Sequence, residues 1–322
     1  MKMQRERSFP AFIRGNVLVI GDTILDIYHE GSPAGISVET PTLVVRHERT
    51  KVTLGGAAFL VRNMLALGGS VTFVTLAGTD EHARYLKKFS HARLKKMLFV
   101  DSRPTTVKER FWSNQHKLLA WDRVDNSPIP SALEDKIIAY LKKNIASFER
   151  VVISDYRHGL LTNRLAAEIV RIAARAKKDV FVDSQVAQQK TNHVQYTGAD
   201  LFSINTREAK SIYPKFDESK LETSLSKLRA LLKARHIVLK LGEKGSFSLI
   251  GTSFIETPAY EVSVRDTIGA GDAFFAVLAC SQHIDEIALR AANAWAGLKT
   301  THLGTETPSL KELKKILRAS HV

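Results

Sequence analysis

A single cysteine, Cys280, occurs in the 322 residues, so no intramolecular disulfide framework can staple this chain, and a reducing compartment suits it. No apolar run of about 18 residues is present to span a membrane. The basic opening Met1–Arg7 leads to Pro10 and Arg14 rather than to the apolar stretch of a secretory signal. These absences predict a cytoplasmic protein with no membrane partner. The eleven histidines are scattered, without metal-site spacing. Also missing are a G-x-x-x-x-G-K-[ST] phosphate loop, the H-R-D and D-F-G elements of protein kinases, and a G-x-S-x-G nucleophile elbow. Any phosphoryl transfer by this chain has to use a different anion cradle. No internal repeat or low-complexity linker divides the sequence.

Positive charge, by contrast, is in excess: the formal net charge is +14. It is spread along the chain in pairs, Lys87-Lys88, Lys95-Lys96, Lys142-Lys143, Lys177-Lys178 and Lys314-Lys315, mostly at polar positions of helical segments. That is the pattern of a solvated face. Without zinc-finger spacing, an RNA-recognition signature or a basic-aromatic stripe, nucleic acid is not the expected partner, and small anionic substrates account for the charge equally well.

With 44% apolar residues the chain can bury a full core. Apolar strand-like runs alternate with helical ones, which predicts an α/β fold on a mainly parallel sheet. Strands are expected at Asn16–Asp22, Val71–Leu76, Val151–Asp155, Asp179–Asp183, Asp200–Asn205 and His236–Gly242. Helices are expected at Gly55–Leu67, Ser131–Ala146, Thr162–Ala176, Glu222–Ala234, Ile284–Leu298 and Ser309–Arg318. Two stretches, Thr42–Thr50 and Thr105–Asp125, alternate apolar and polar residues like half-exposed antiparallel strands and predict a small separate sheet, well placed as a lid. Its apolar residues Leu43, Val45, Phe111, Leu119 and Trp121 predict pairing between two subunits.

Residues Asp266–Phe275, D-T-I-G-A-G-D-A-F-F, carry the most information. Gly269 and Gly271 allow a tight turn, and the apolar run from Ala273 reads as a buried helix starting there. Such a helix start suits an anion, with Asp272 beside it as a proton acceptor. A glycine turn with an N-capping aspartate accounts for the same residues. Asp22, Asp155, Asp183 and Asn205 all end predicted strands, where parallel strands bring them to one edge, and Asp26 follows Asp22 by one short turn. Gly55-Gly56-Ala57-Ala58 opens a helix, either to pack closely on the sheet or to offer a flat surface to a sugar ring. Asn205 and Glu208, three apart on a first helical turn, read as a cap or as groups around hydrated Mg²⁺ and nucleotide phosphates.

Taken in order, these features resemble the ribokinase-type (PfkB) sugar kinase family from about Val17 to Pro308, and Asp266–Phe274 satisfies its D-T-x-G-A-G-D-x-F signature. Gly21–Tyr28, Ile36–Pro41, Ser154–Gly159 and Leu303–Thr305 are similar to the heptose 7-phosphate kinases of ADP-heptose synthesis. Many of those carry a fused nucleotidyltransferase, and the resemblance implies only the kinase half within these residues. The chain departs from that subgroup at Phe59 (usually Asn), at Ala120 (where Arg is expected) and at Asp183-Ser184-Gln185 (usually D-P-K).

The resemblance implies a ribokinase-like fold, with residues 1–322 as one kinase domain and lid segments at about 36–52 and 103–125. It implies ATP-dependent phosphorylation of a sugar hydroxyl, of a sugar phosphate such as heptose 7-phosphate first of all, with ATP and Mg²⁺ as cofactors. Another sugar, a fructose phosphate or a nucleoside is the alternative substrate, and a catalytically silent binding protein is the rival class. By the same resemblance Asp272 is the general base, and in the turn that Gly269 opens the backbone N–H groups of Ala270, Gly271 and Asp272 cradle the moving phosphoryl group. Asp26, Gly55 and Gly56 hold sugar hydroxyls, Lys108 and Arg110 pair with an anionic substituent, and Asn205 and Glu208 position Mg²⁺ through water. Lys240, Gly242, Gly245 and Asn293 neighbour the nucleotide.

Overall fold

The computed structural model describes residues 9–114, 116–186 and 191–319; the basic opening lies outside them. In chain order, β1 (Asn16–Gly21) runs directly into β2 (Thr23–Ile36) and β3 (Leu43–Gly56), then α1 (Ala57–Ala66) and β4 (Ser70–Ala77). There follow α2 (Ala83–Lys88), β5 (Leu94–Val100), β6 (Val107–Ser113), β7 (His116–Arg123), α3 (Ser131–Asn144), β8 (Arg150–Asp155), α4 (Asn163–Arg175) and β9 (Asp179–Ser184). The rest is β10 (Leu201–Asn205), α5 (Thr206–Ile212), α6 (Leu221–Leu232), β11 (His236–Lys240), β12 (Ser246–Ile250), β13 (Ser253–Thr257), α7 (Ala270–Cys280), α8 (Glu286–Thr300) and α9 (Leu310–Ala319).

The large sheet has the order β13-β12-β11-β10-β9-β8-β1-β4-β5. Neighbours from β5 across to β11 are parallel, and β12 and β13 close the edge antiparallel. β1 is apolar without alternation because both of its faces are covered. Val17 and Val19 join the core under α1, α7 and α8, while Leu18 and Ile20 join the core under α3, α4 and α6. Parallel strands need crossovers, so their carboxyl ends, carrying Asp155, Asp183, Asn205 and Lys240, converge on one edge.

The second sheet has the order β3-β2-β6-β7. It is larger than expected: β2 belongs to it, so Asp26 stands within a lid strand rather than one turn beyond β1. β2 escapes sequence reading because Gly31, Pro33 and Gly35 interrupt its pattern, and register shifts occur at those positions. Gly55 and Gly56 likewise end β3 instead of opening α1. Lys95 and Lys96 lie on β5, an edge strand, where charge discourages pairing with a foreign strand, and not on a helix. β5, β12 and β13 are strands the sequence did not predict.

On the lid, Leu43, Val44, Leu118, Leu119 and Trp121 are exposed. Val45 and Phe111, expected with them, are half-buried, and the Phe111 ring stacks on His29 with centroids 4.4 Å apart. Among the described residues no helix is long and apolar enough to cross a membrane.

Candidate active site

The strand ends, the lid and the start of α7 enclose a cavity of about 1290 Å³. It is roomy for two small substrates at once, since single-ligand sites run to about 1,000 Å³. Every residue assigned a site role from the sequence lines it: Asp26, Gly55, Gly56, Lys108, Arg110, Asn205, Glu208, Lys240, Gly242, Gly245, Gly269, Ala270, Gly271, Asp272 and Asn293.

At its centre, Gly269 caps α7 in the left-handed region, φ 76°. Asp272 does not act as the cap; no side chain caps this helix, and Asp272 sits in its first turn. Its Oδ1 accepts a hydrogen bond of 2.6 Å from the Tyr156 hydroxyl. Burial pushes the Asp272 carboxyl up to about 7, Asp183 and Asp26 adding to the rise while Tyr156 and Lys240 oppose it. The expected amide cradle narrows: the Ala270 N–H turns back to the Thr267 carbonyl at 3.2 Å, which leaves Gly271 and Asp272 as its donors. Phe59 packs its ring under this turn, so close that a Cβ on Gly269 would stand 2.3 Å from its Cε1.

Lys240 ends β11 and donates to Asp183 Oδ2 at 2.5 Å, reaching across β10. Its Nζ lies 3.7 Å from where a Cβ on Gly271 would be. Burial disfavours its charge, but Asp183, Glu208 and Asp272 together outweigh that and hold it above the usual lysine range. A fixed cation therefore stands beside the amide cradle.

Asn205 and Glu208 form a complete capping box on α5. The Glu208 carboxylate accepts from both the backbone and the side-chain nitrogen of Asn205, each at 2.8 Å, and burial pushes it up to about 7 against the pull of Lys240. No cluster of three His, Cys, Asp or Glu suited to direct metal ligation occurs among the described residues. Hard oxygen donors fixed on one another in this way fit the orientation of water around Mg²⁺.

The lid supplies the far wall. Asp26 pairs in register with Lys108, and Tyr28 with Arg110, so these four alternate residues share one face. Arg110 is held by Asp122 at 2.6 Å. Burial pushes Asp26 up to about 6, with Lys108 and Arg110 opposing. The Gly55 backbone passes so close to Asp26 that a Cβ there would meet its Oδ2 at 2.1 Å, and Gly56 takes φ 59°. Ala120 pairs with Arg110, so the cation missing at 120 leaves Arg110 facing a small neighbour.

Gly242 and Gly245 flank a short turn after β11. Asn293, on α8, spends its amide nitrogen on Ser246 and Thr257, which ties β12, β13 and α8 together beneath that end of the cavity. Sequence reading gave Tyr156 no role and Asp183 only a strand-terminal one. The available signal was their place at the ends of β8 and β9.

A family model described as pfkB family carbohydrate kinase matches residues 14–312. The bifunctional protein HldE of Rhodopseudomonas palustris (strain BisA53) is 33% identical over 96% of this chain, and that of Wolinella succinogenes is 31% identical over 96%. The chain spans only 65% and 66% of the length of these two curated relatives. Among solved structures, Arabidopsis thaliana ribokinase complexed with ribose and ATP superposes with a TM-score of 0.71 at 18% identity, covering 95% of this chain and 99% of the other. Escherichia coli phosphofructokinase-2 in complex with potassium gives 0.76 at 18% identity, covering 96% and 100%. The lid, the strand-end cavity and the glycine turn at α7 thus sit in a ribokinase-like fold, and the chain belongs to the pfkB family of carbohydrate kinases, phosphotransferases that take a sugar hydroxyl as acceptor.

Proposed function

We propose that this chain, as one kinase unit, transfers the γ-phosphoryl group of ATP to a hydroxyl of a sugar phosphate such as heptose 7-phosphate. The observation that carries this is the meeting, in one cavity, of Asp272 and the first amides of α7 with the cations Lys240, Lys108 and Arg110. Asp26 and the Gly55-Gly56 backbone hold acceptor hydroxyls, which orients one of them toward Asp272. Asp272 takes its proton as the new O–P bond forms and the bond to ADP breaks. The Gly271 and Asp272 amides and the Lys240 ammonium stabilise charge on the transferring group. Mg²⁺, when bound, neutralises the ATP phosphates, and Asn205 and Glu208 would hold its water shell. Gly242 and Gly245 let the chain turn beside the adenine, on a floor fixed by Asn293. Lys108 and Arg110 select an acceptor that already bears an anionic group, for which the HldE names of the relatives speak as well. Cytoplasmic residence and pairing of two lids through Leu43, Leu119 and Trp121 complete the reading.

The test is ADP release measured over a panel of sugars, sugar phosphates and nucleosides, with wild type and Asp272→Asn. The variant should lose roughly 10²–10⁴-fold in kcat while still binding ATP, the usual share of a general base. Near-wild-type turnover would remove Asp272 from that role. A fructose phosphate or nucleoside outpacing the heptose phosphate would redirect the substrate.

A further inference from the structure

We infer that Tyr156 is a positioning residue for the Asp272 carboxylate, its hydroxyl holding Oδ1 so that Oδ2 is presented to the acceptor. The inference rests on Asp272 being the base. Tyr156 follows β8 directly, and its Oη–Oδ1 distance of 2.6 Å is that of a strong hydrogen bond to an ionised group. The loop that carries it is built around buried carboxylates. Asp22, 4% exposed, accepts through Oδ2 from the N–H groups of Tyr156 (3.0 Å) and His158 (3.2 Å), and through Oδ1 from Leu160 (3.3 Å). Asp155 accepts from the Arg157 N–H at 2.8 Å and is itself held by Ser184, Asn192 and Tyr196.

Arg157 and Gly159 have φ of 65° and 89°. A left-handed arginine costs roughly 1–2 kcal/mol, and such strain persists where surrounding bonds over-determine it. The bonds to Asp22 and Asp155 hold the loop in this shape, and in it the Tyr156 hydroxyl reaches Asp272.

A carboxylate bound at one oxygen cannot rotate freely, and a bond donated to its ionised form lowers its affinity for protons. The other groups facing Asp272 are Asp26 on β2, Asp183 on β9, Lys240 on β11 and Lys299 on α8, two acidic and two basic. Among the described residues the Tyr156 hydroxyl is the one group hydrogen-bonded to Oδ1, so its loss leaves that oxygen without this donor.

Tyr156→Phe keeps the ring and removes only the donor. In the full chain, steady-state ADP release from about pH 5 to about pH 9 should show kcat reduced by about tenfold or more, the size of one charge-assisted hydrogen bond. The acid limb of kcat/KM should move up by about half to one pH unit, with KM for ATP unchanged. A kcat loss with an unmoved limb would mean a merely structural role and would overturn the inference. So would a profile superimposing on wild type while Asp272→Asn is inactive, and that result leaves the base assignment standing. An active Asp272→Asn would remove the base assignment and this inference with it.

Discussion

Gly269→Ala offers a sharp test of how the cradle is built. Two costs can be read from the structure. First, Gly269 has φ 76°, and alanine in the left-handed region loses roughly 1–2 kcal/mol. Second, the added Cβ would stand 2.3 Å from Phe59 Cε1 and 2.8 Å from Cδ1, overlaps that no side-chain rotation of alanine can relieve. Phe59 is 1% exposed and cannot swing away, so this adds an overpacking cost of roughly 1–3 kcal/mol. Urea unfolding should show a loss of about 2–5 kcal/mol, and kcat should fall because the Gly271 and Asp272 amides move with the turn. Phe59→Leu opens space under residue 269 without touching its backbone conformation. The double variant should therefore recover the steric share and keep the backbone share, a favourable coupling of about 1–3 kcal/mol. A Gly269→Ala protein within about 0.5 kcal/mol of wild type, or strict additivity with Phe59→Leu, would refute this account of the turn.

Lys108→Ala and Arg110→Ala should each raise KM at least about tenfold for phosphorylated acceptors and far less for neutral sugars, because a charge-assisted contact is lost only with the former; equal effects on both classes would contradict the assigned role. His193 is buried, hydrogen-bonded to Thr191 at 2.6 Å, and held neutral by burial, its pKa down at about 3. The unfolded chain binds that proton below about pH 6.5, so its stability contribution is present above that pH and lost as pH falls toward 3, by up to about tenfold in the unfolding constant per pH unit. Asp22, Asp26, Glu208 and Asp272 have raised pKa values and titrate with the opposite sign, their contribution lost as pH rises through about 6 to 7. The measurement is therefore the stability difference between His193→Gln and wild type, which should shift toward the variant as pH is lowered; a pH-independent difference would contradict the neutral buried state.

Local chemistry made much of this molecule legible in its sequence. Apolar runs too continuous for a half-exposed sheet announced the parallel core, and Gly269 and Gly271 ahead of a small-residue run announced the glycine turn that starts α7. An amide and a carboxylate three apart announced the cap at Asn205, whose box the structure contains in full. These are properties of a few consecutive residues, and they need no knowledge of what lies opposite. Tertiary structure alone decided the rest. Whether Asp272 capped its helix or faced a cavity depended on Tyr156, 116 positions away, donating to it. That Lys240 would meet Asp183 depended on strands β9, β10 and β11 lying side by side, and the extent of the lid depended on β2 pairing with β6 across 82 positions, Leu25 with Val107. Hydrogen-bond partners, burial and the proton affinities that follow from them are set by neighbours in space, and sequence distance carries no trace of them.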